Sequence, residues 1–266
     1  MEENKVDFRC IGDRNFIEGY SCYKGIHSYQ DIKEKRNPNP SDPRINLGIC
    51  PECRLKVADT WFEDIVMDKL HDTSFDSFIQ ERNPKAYKFA KSVKIETGVS
   101  VLLWSELWGN GKTHLALAIL KEYLRQYMAN YNIMGSEFNA KRVNPASMTS
   151  ETELINKIRA SFKDDDDGES ESSIIEYYTN VKVLLLDDVG KVTFSKNDFL
   201  NRIYFMIIDR MYNKKKSLII TSNKTPVNIG EHIGGACWSR LNEMCGTNQH
   251  EVKGSDYRNE LIKEKK

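Results

Sequence analysis

From residue 99 onward, short apolar runs alternate with segments in which apolar residues recur every three or four positions. The apolar runs at residues 101–103, 181–186 and 217–221 predict buried strands, because parallel strands covered on both faces are apolar at consecutive positions. The segments between them have helical periodicity. This alternation predicts an α/β fold with a parallel sheet flanked by helices.

Three segments of this region have the periodicity of amphipathic helices. They cover residues 113–128, a stretch that starts at Ser150, and a stretch after Ser195. Ser150 and Glu153 have the spacing of a capping box, which marks a helix start. The apolar residues expected on the buried faces are Leu115, Ala118, Ile119, Tyr123, Leu154, Ile155, Ile158, Phe162, Leu200, Ile203, Tyr204, Ile207, Ile208 and Met211.

The first part of the chain differs from the rest. Residues 1–55 carry four of the six cysteines and several prolines, with little apolar periodicity, which predicts a small, loop-rich module. A helix is expected over residues 57–67, and residues 73–78 suit a connecting segment. We therefore predict an N-terminal module over residues 1–70 and a larger domain over residues 71–266.

Composition excludes little. The 266 residues contain 39 Lys and Arg against 39 Asp and Glu, so no overall charge indicates a nucleic acid or a membrane surface as partner. The acidic run at residues 163–170 is expected to be a solvated loop. No signal-peptide pattern and no apolar run near the ~20 residues of a membrane span is present, so we expect a soluble, cytoplasmic protein with no membrane partner.

A glycine-containing turn followed by Gly-Lys-Thr lies between the first predicted strand and the first predicted helix. This order is typical of a phosphate-binding loop, in which backbone N–H groups hold phosphates while Lys112 and Thr113 reach the terminal phosphates and Mg²⁺. The full pattern has glycine where this chain has Glu106, and Gly109 is expected to supply the flexibility instead. The alternative is an ordinary turn between a strand and a helix.

Two adjacent carboxylates follow the second predicted strand. The carboxyl ends of parallel strands gather ligand groups, so we assign Asp187 to the Mg²⁺ shell and Asp188 to orienting the attacking water. Asn223 ends the next strand and would lie beside them if the two strands are neighbours. The alternative is that Asp187 and Asp188 only cap a turn.

The cysteines of the first module indicate zinc. Cys50 and Cys53 have the two-residue gap that lets two sulfurs face one ion, and Cys10 and Cys22 can complete a tetrahedral site, with His27 as a spare candidate. The alternative is unliganded thiols. Two further cysteines, Cys237 and Cys245, are expected to be packing residues.

The chain resembles the AAA+ ATPases of the DnaC/DnaI-type bacterial helicase loaders, which are related to the IstB-type transposition ATPases. The likeness spreads over residues 73–258 and rests on motifs that occur in the family's order. These motifs are Phe75-Asp76-Ser77-Phe78, Gly109-Asn110-Gly111-Lys112-Thr113-His114-Leu115-Ala116, Leu186-Asp187-Asp188-Val189-Gly190, Thr221-Ser222-Asn223, Ser239-Arg240-Leu241 and Asp256-Tyr257-Arg258. It implies an AAA+ P-loop NTPase fold without a full C-terminal lid.

The resemblance also implies roles for single residues. Asn223 matches sensor 1, Arg240 the arginine finger offered to a neighbouring subunit, and Arg258 the sensor 2 arginine. With Asp188 they form the expected catalytic set. The nucleotide is expected to contact the loop and helix start together with Asp187, that is Gly109, Asn110, Gly111, Lys112, Thr113, His114 and Asp187.

The expected function is ATP-dependent loading of a hexameric replicative DNA helicase onto single-stranded DNA. An arginine finger requires head-to-tail self-association, because its charge must come from outside the site. Some loaders of this type carry an N-terminal zinc module that contacts the helicase. The alternatives are a transposition helper ATPase and a nucleotide-gated adaptor with little hydrolysis.

The zinc assignment predicts that one zinc ion is released per chain when a strong chelator is added. Because the metal would organise residues 1–55, chelation should raise the protease sensitivity of that segment. Metal analysis and limited proteolysis check this. A metal-free preparation with an unchanged cleavage pattern would contradict it.

Overall fold

The computed structural model describes residues 8–10, 46–48, 51–130, 144–162, 169–193 and 198–257. The chain divides into two compact units, one of residues 1–61 with 124–143 and one of residues 62–123 with 144–266. The acidic run was predicted to be a solvated loop, and its residues 163–168 lie outside the described residues.

In the first unit, strands β1 (Phe8–Cys10) and β2 (Asn46–Gly48) pair in parallel. Helix α1 runs over Pro51–Glu63, so the bounds predicted for it, 57–67, were wrong. Its start at Pro51 is physically reasonable, because proline is favoured at the first helical position, where its missing N–H has no helical partner. Asp59 of α1 forms an ion pair of 2.9 Å with Arg125.

The second unit contains a five-stranded sheet in which every strand pair is parallel. The strand order is β4-β5-β6-β3-β7, and the strands are β3 (Val101–Trp104), β4 (Ala146–Ser150), β5 (Val183–Val189), β6 (Ser217–Ser222) and β7 (Gln249–Glu251). The predicted α/β class with a parallel sheet flanked by helices is confirmed. Strand β4 was missed, because its sequence of small and polar residues has no apolar run.

Seven further helices occur in the described residues. They are α2 (Pro84–Ser92), α3 (Lys112–Ala129), α4 (Glu151–Ala160), α5 (Glu171–Thr179), α6 (Asp198–Asn213), α7 (Pro226–Ile233) and α8 (Gly235–Cys245), with short 3₁₀ turns at Asp68–Leu70 and Gln80–Arg82. None of these helices combines the length and the apolar character that crossing a membrane requires.

The core lies on both faces of the sheet. Strand residues of alternating direction, such as Leu184 and Leu185, are both fully buried, which explains the uninterrupted apolar runs. One face packs against α4 to α8 in a single apolar cluster. Cys237 and Cys245 belong to this cluster, so their assignment to packing is confirmed.

Helix α4 starts as predicted, since the Ser150 hydroxyl accepts a hydrogen bond from the Glu153 N–H at 3.2 Å. The prediction that Phe162 lies on its buried face was wrong. The helix ends at Ala160, and Phe162 is 58% exposed, with its ring edge-on to Phe199. Leu154, Ile155 and Ile158 are buried as expected.

Strands β5 and β6 are neighbours, which meets the condition set for Asn223. Between Leu186 and Val189 their register shifts. The polar residues that follow the apolar part of each strand therefore meet at one edge of the sheet, next to the end of β3.

Candidate nucleotide-binding site

The loop after β3 is anchored to the sheet at its start. The Ser105 N–H donates to the Ser222 carbonyl at 3.0 Å, beside the end of β6. Gly109 (φ 67°) and Gly111 (φ 94°) adopt the left-handed backbone that favours glycine. Among the described residues, Asp188 and Lys215 are the non-glycine residues with positive φ, so Glu106 needs no glycine conformation. Gly109, which was predicted to replace the glycine missing at position 106, has a positive φ.

Both loop glycines also make close approaches. A Cβ atom at Gly109 would lie 1.8 Å from Oδ1 of Asp256, and one at Gly111 would lie 2.8 Å from Cε2 of Phe78. The Tyr257 N–H donates to the Gly109 carbonyl at 3.0 Å. The loop is thus held between the lead-in segment at residues 75–78 and the segment after β7.

Lys112 is the first residue of α3, and it is only 5% exposed. Its Nζ donates to the Leu107 carbonyl at 2.7 Å and to Oδ1 of Asn110 at 3.1 Å. The amide of Asn110 donates in turn to Oγ of Ser105 and to the Val252 carbonyl. The ammonium therefore lies inside the curve of the loop, where a phosphate would replace oxygen ligands of the same kind.

Thr113 and Asp187, which the sequence analysis assigned to Mg²⁺, lie in contact. The Thr113 hydroxyl donates to Oδ1 of Asp187 at 2.9 Å, and the Thr221 hydroxyl donates to the same oxygen at 2.5 Å. Burial raises the pKa of the Asp187 carboxyl, and the adjacent Asp188 adds to this, while the two hydroxyl groups oppose it. A hydroxyl and a carboxylate at this distance fit the needs of Mg²⁺, which takes few protein ligands and keeps several waters.

Asp188 and Asn223 are also brought together. Nδ2 of Asn223 donates to Oδ1 of Asp188 at 3.2 Å, and Nζ of Lys191 lies 3.2 Å from Oδ2 of Asp188. Oδ1 of Asn223 is buried and has no hydrogen-bond partner in the described part of the chain. Asp188 has φ 58°, and its N–H donates to the Thr221 hydroxyl at 2.9 Å.

His114 is one of the residues predicted to contact the nucleotide. His114 faces the lead-in segment, where its Nε2 donates to the Ser74 carbonyl at 2.8 Å and its ring stands edge-on to Phe78. Burial lowers the pKa of His114, and the hydrogen bond to Ser74 opposes this in part. These contacts of the ring fasten the start of α3 to residues 74–78.

Arg240 lies within α8. Its guanidinium is 3.4 Å from Oδ1 of Asp209 and lies over the rings of Phe205 and Tyr212, all on α6. None of these contacts involves the loop, Asp187 or Asp188. Arg240 is therefore held on the α6 and α8 side of the unit.

Some predictions fall outside the described residues. These are Arg258, Cys22, Cys50 and the side chains of Cys10 and Cys53, so the zinc site and the sensor 2 residue stay predictions. Where side chains are described, no group of three or more His, Cys, Asp and Glu residues is arranged to hold a metal ion.

Sequence reasoning missed three residues that shape the site. They are Thr221, which had been noted only as part of a motif, Lys191, and Glu151, whose carboxylate accepts hydrogen bonds from the turn after Asp188. Thr221 follows apolar residues in β6 directly, and that position was the available signal. Glu151 gave none, because a glutamate in the first turn of a helix is ordinarily solvated.

A family model of the bacterial DnaA ATPase domain matches residues 70–244. This chain belongs to that family. The chromosomal replication initiator protein DnaA of Lactobacillus johnsonii is 26% identical over 197 residues, 69% of this chain and 38% of that protein. DnaA of Lactobacillus helveticus is 28% identical over 162 residues, 59% of this chain and 30% of that protein. The chain thus spans less than half the length of these relatives.

Solved structures show the same fold. A crystal structure of the DnaC helicase loader has a TM-score of 0.51 and 22% identity, covering 70% of this chain and all (100%) of that one. A crystal structure of DnaI has a TM-score of 0.50 and 18% identity, covering 72% of this chain and 93% of that one. The AAA+ fold expected from the motifs is confirmed, and the chain shares it with the proteins it was expected to resemble.

The raised pKa of Asp187 predicts a pH-dependent gain in stability for Asp187→Asn. A carboxyl whose pKa is raised by folding favours the folded state at low pH and loses that contribution as pH rises through the folded-state pKa. Asparagine keeps an oxygen that can accept from Thr113 and Thr221. Because it does not ionise, it loses no stability as the pH rises. In urea unfolding without nucleotide or magnesium, D187N should be more stable than wild type at pH 8, and the difference should shrink as pH falls.

The matched control is Asp76→Asn, a change of an exposed carboxylate in the lead-in segment. It should follow the wild-type pH dependence of the unfolding free energy. If D187N were less stable than wild type at pH 8, Asp187 would be stabilised as an anion by its neighbours, and the pKa of its carboxyl would be lowered by folding.

Proposed function

We propose that this chain is an ATPase that binds ATP with Mg²⁺ at the loop of Lys112 and uses hydrolysis in replication initiation. The observation that supports this most directly is the contact between Thr113 and Asp187, next to the buried Lys112 ammonium. Phosphoryl transfer by P-loop proteins requires three side-chain groups, an ammonium, a hydroxyl and a carboxylate. Lys112, Thr113 and Asp187 provide them in that order along the chain. Membership of an ATPase domain family supports the same reading.

The side chains divide the work as follows. The loop N–H groups and Lys112 bind and orient the phosphates, and Thr113 and Asp187 hold the metal. A Mg²⁺ ion held by these two side chains would neutralise the charge that develops on the phosphate oxygens. Asp188 orients the attacking water by accepting a hydrogen bond from it. Oδ1 of Asn223, buried without a partner among the described residues, is a further acceptor on the side chain whose Nδ2 donates to Asp188.

The partner part of the proposal is loading of a hexameric replicative helicase onto single-stranded DNA. In it, residues 1–70 form the zinc-binding module that contacts the helicase, and residues 71–266 form the ATPase domain. Arg240 acts on the nucleotide of the next subunit in a head-to-tail oligomer, and Arg258 acts as sensor 2. The order of the six motifs and the cysteine-rich start of the chain support this reading over a transposition helper.

A nucleotide-gated adaptor with little hydrolysis is the second candidate. The ion pair between Lys191 and Asp188 favours it, because a lysine 3.2 Å from the carboxylate competes with water for the same oxygen atoms. This pair is exposed on the lysine side, with 61% of the Lys191 side chain accessible, so it contributes little to stability and opens readily.

The proposed function predicts ATP turnover that rises with single-stranded DNA and depends on Lys112. The variant Lys112→Ala removes the ammonium that binds the phosphates and should weaken ATP binding at least tenfold, measured with a fluorescent ATP analogue.

A pull-down of the full chain from native lysate should contain a hexameric helicase.

Each alternative function predicts a different result in these experiments. Turnover of wild type as low as that of K112A, with tight ATP binding by wild type alone, indicates the adaptor. Recovery of a transposase in place of a helicase indicates the transposition helper. Undiminished ATP binding by K112A contradicts the site itself.

The proposed arginine finger predicts that Arg240→Ala leaves ATP binding nearly intact and lowers turnover by a factor of ten or more. The loss should be overcome in part by mixing R240A with K112A subunits, because each supplies what the other lacks in a shared site. Arg202→Ala is the control, since it removes a comparable arginine from an ion pair with Glu171 on the surface. Equal loss of binding and turnover in R240A would contradict the assignment.

A further inference from the structure

Glu151 is a buried acid that the proposed mechanism does not use. It is the first residue of α4 and is only 1% exposed. Four donors satisfy its carboxylate, two on each oxygen. A buried charge persists only when it is well hydrogen-bonded, so this arrangement is a built feature of the fold.

One oxygen of Glu151 holds the turn that follows Asp188. Oε2 accepts from the Gly190 N–H at 3.1 Å and from the Val192 N–H at 2.7 Å. On the other side, the Thr221 hydroxyl accepts from the Asp188 N–H at 2.9 Å. The left-handed residue Asp188 therefore lies between two hydrogen-bonded clamps, one from β6 and one from α4.

The other oxygen of Glu151 connects this turn to two helices. Oε1 accepts from the Tyr204 hydroxyl of α6 at 2.6 Å and from Nε2 of His232 of α7 at 2.5 Å. Helix α7 begins at Pro226, shortly after Asn223. The Glu151 carboxylate thus contacts both the turn after Asp188 and helix α7, which follows Asn223. Asn223 is the residue whose amide donates to Asp188.

We propose that Glu151 is a positioning residue that fixes the backbone of Asp188 for ATP hydrolysis. The positioning role rests on the ATPase function proposed for this chain. Its Oε2 accepts the two hydrogen bonds from the turn, so this oxygen is the one that holds the backbone after Asp188. Its Oε1 anchors the carboxylate to α6 and α7, which keeps Oε2 in place.

The ionised form of Glu151 suits this role. Burial acts to raise its pKa, but the hydrogen bonds from His232, Tyr204 and the Val192 N–H outweigh burial and hold the pKa below its usual value. A carboxylate accepts at both oxygens, and the role requires acceptance at the oxygen that faces the turn, Oε2. Loss of this carboxylate would leave the part-buried N–H groups of Gly190 and Val192 without the acceptor that they have here.

Two substitutions of Glu151 separate positioning from packing. Glu151→Ala removes both oxygens, whereas Glu151→Gln keeps one oxygen that can still accept from Gly190 and Val192. We expect E151A to lower kcat at least tenfold while ATP affinity changes less than threefold. We expect E151Q to retain at least a third of the wild-type kcat.

Two control variants act on the same surroundings. Tyr204→Phe removes a donor from Oε1 and should keep kcat within about twofold. Glu153→Ala changes an exposed acid on the same helix, whose carboxylate lies 3.4 Å from Lys157, and should match wild type. If E151A does not fold, Val192→Pro replaces it, because proline deletes the shorter of the two backbone hydrogen bonds to Oε2.

Hydrogen–deuterium exchange of residues 188–193 gives a readout that needs no turnover. Exchange there should be faster in E151A, or in V192P, than in wild type, and unchanged in Y204F and E153A. Unchanged exchange, or an equal fall in kcat and ATP affinity in both E151A and E151Q, would overturn the positioning role. Absence of turnover in wild type would instead overturn the ATPase proposal, while the exchange result still decides on the turn.

Discussion

One oxygen atom of Asp187 joins the three elements on which the site depends. It accepts from Thr113 at the start of α3 and from Thr221 at the end of β6, and it belongs to β5 itself. Each hydroxyl has one proton, and both protons point at this oxygen. The loop helix, the acidic strand and the neighbouring strand are therefore held in one arrangement by a buried carboxylate whose pKa burial raises.

The arrangement carries a conformational cost at the next residue. Asp188 has φ 58°, and a non-glycine residue in this region costs of order 1–3 kcal/mol. Thr221 satisfies the Asp188 N–H, and Glu151 holds the turn two and four residues later. A strained backbone conformation persists where the surrounding structure holds it. At Asp188 this conformation places the side chain within hydrogen-bond distance of Asn223.

The sequence predicted the parts of the fold that have a strong local signal. The apolar runs of β3, β5 and β6 and the spacing of apolar residues in α3, α4 and α6 were sufficient. Strand β4 and helix α5 have weak patterns, so they were missed. Lys112, Thr113 and Asp187 could be proposed as site residues because phosphate chemistry requires those residue types in a fixed order. Glu151 was not, because its role depends on His232 and Tyr204, which are distant in the chain.

The surroundings of Arg240 bear on whether it can leave its own subunit. Its contact with Asp209 is 3.4 Å long, and about a third of each side chain remains accessible (31% and 30%). Ion pairs of this kind contribute about 0–1 kcal/mol, and the rings of Phe205 and Tyr212 lie 5.5 and 5.9 Å away. Such contacts orient a guanidinium without holding it strongly. In the proposed head-to-tail oligomer, the phosphate of a nucleotide bound to a neighbouring subunit would offer charged oxygens in bidentate geometry and so would compete with Asp209 for Arg240.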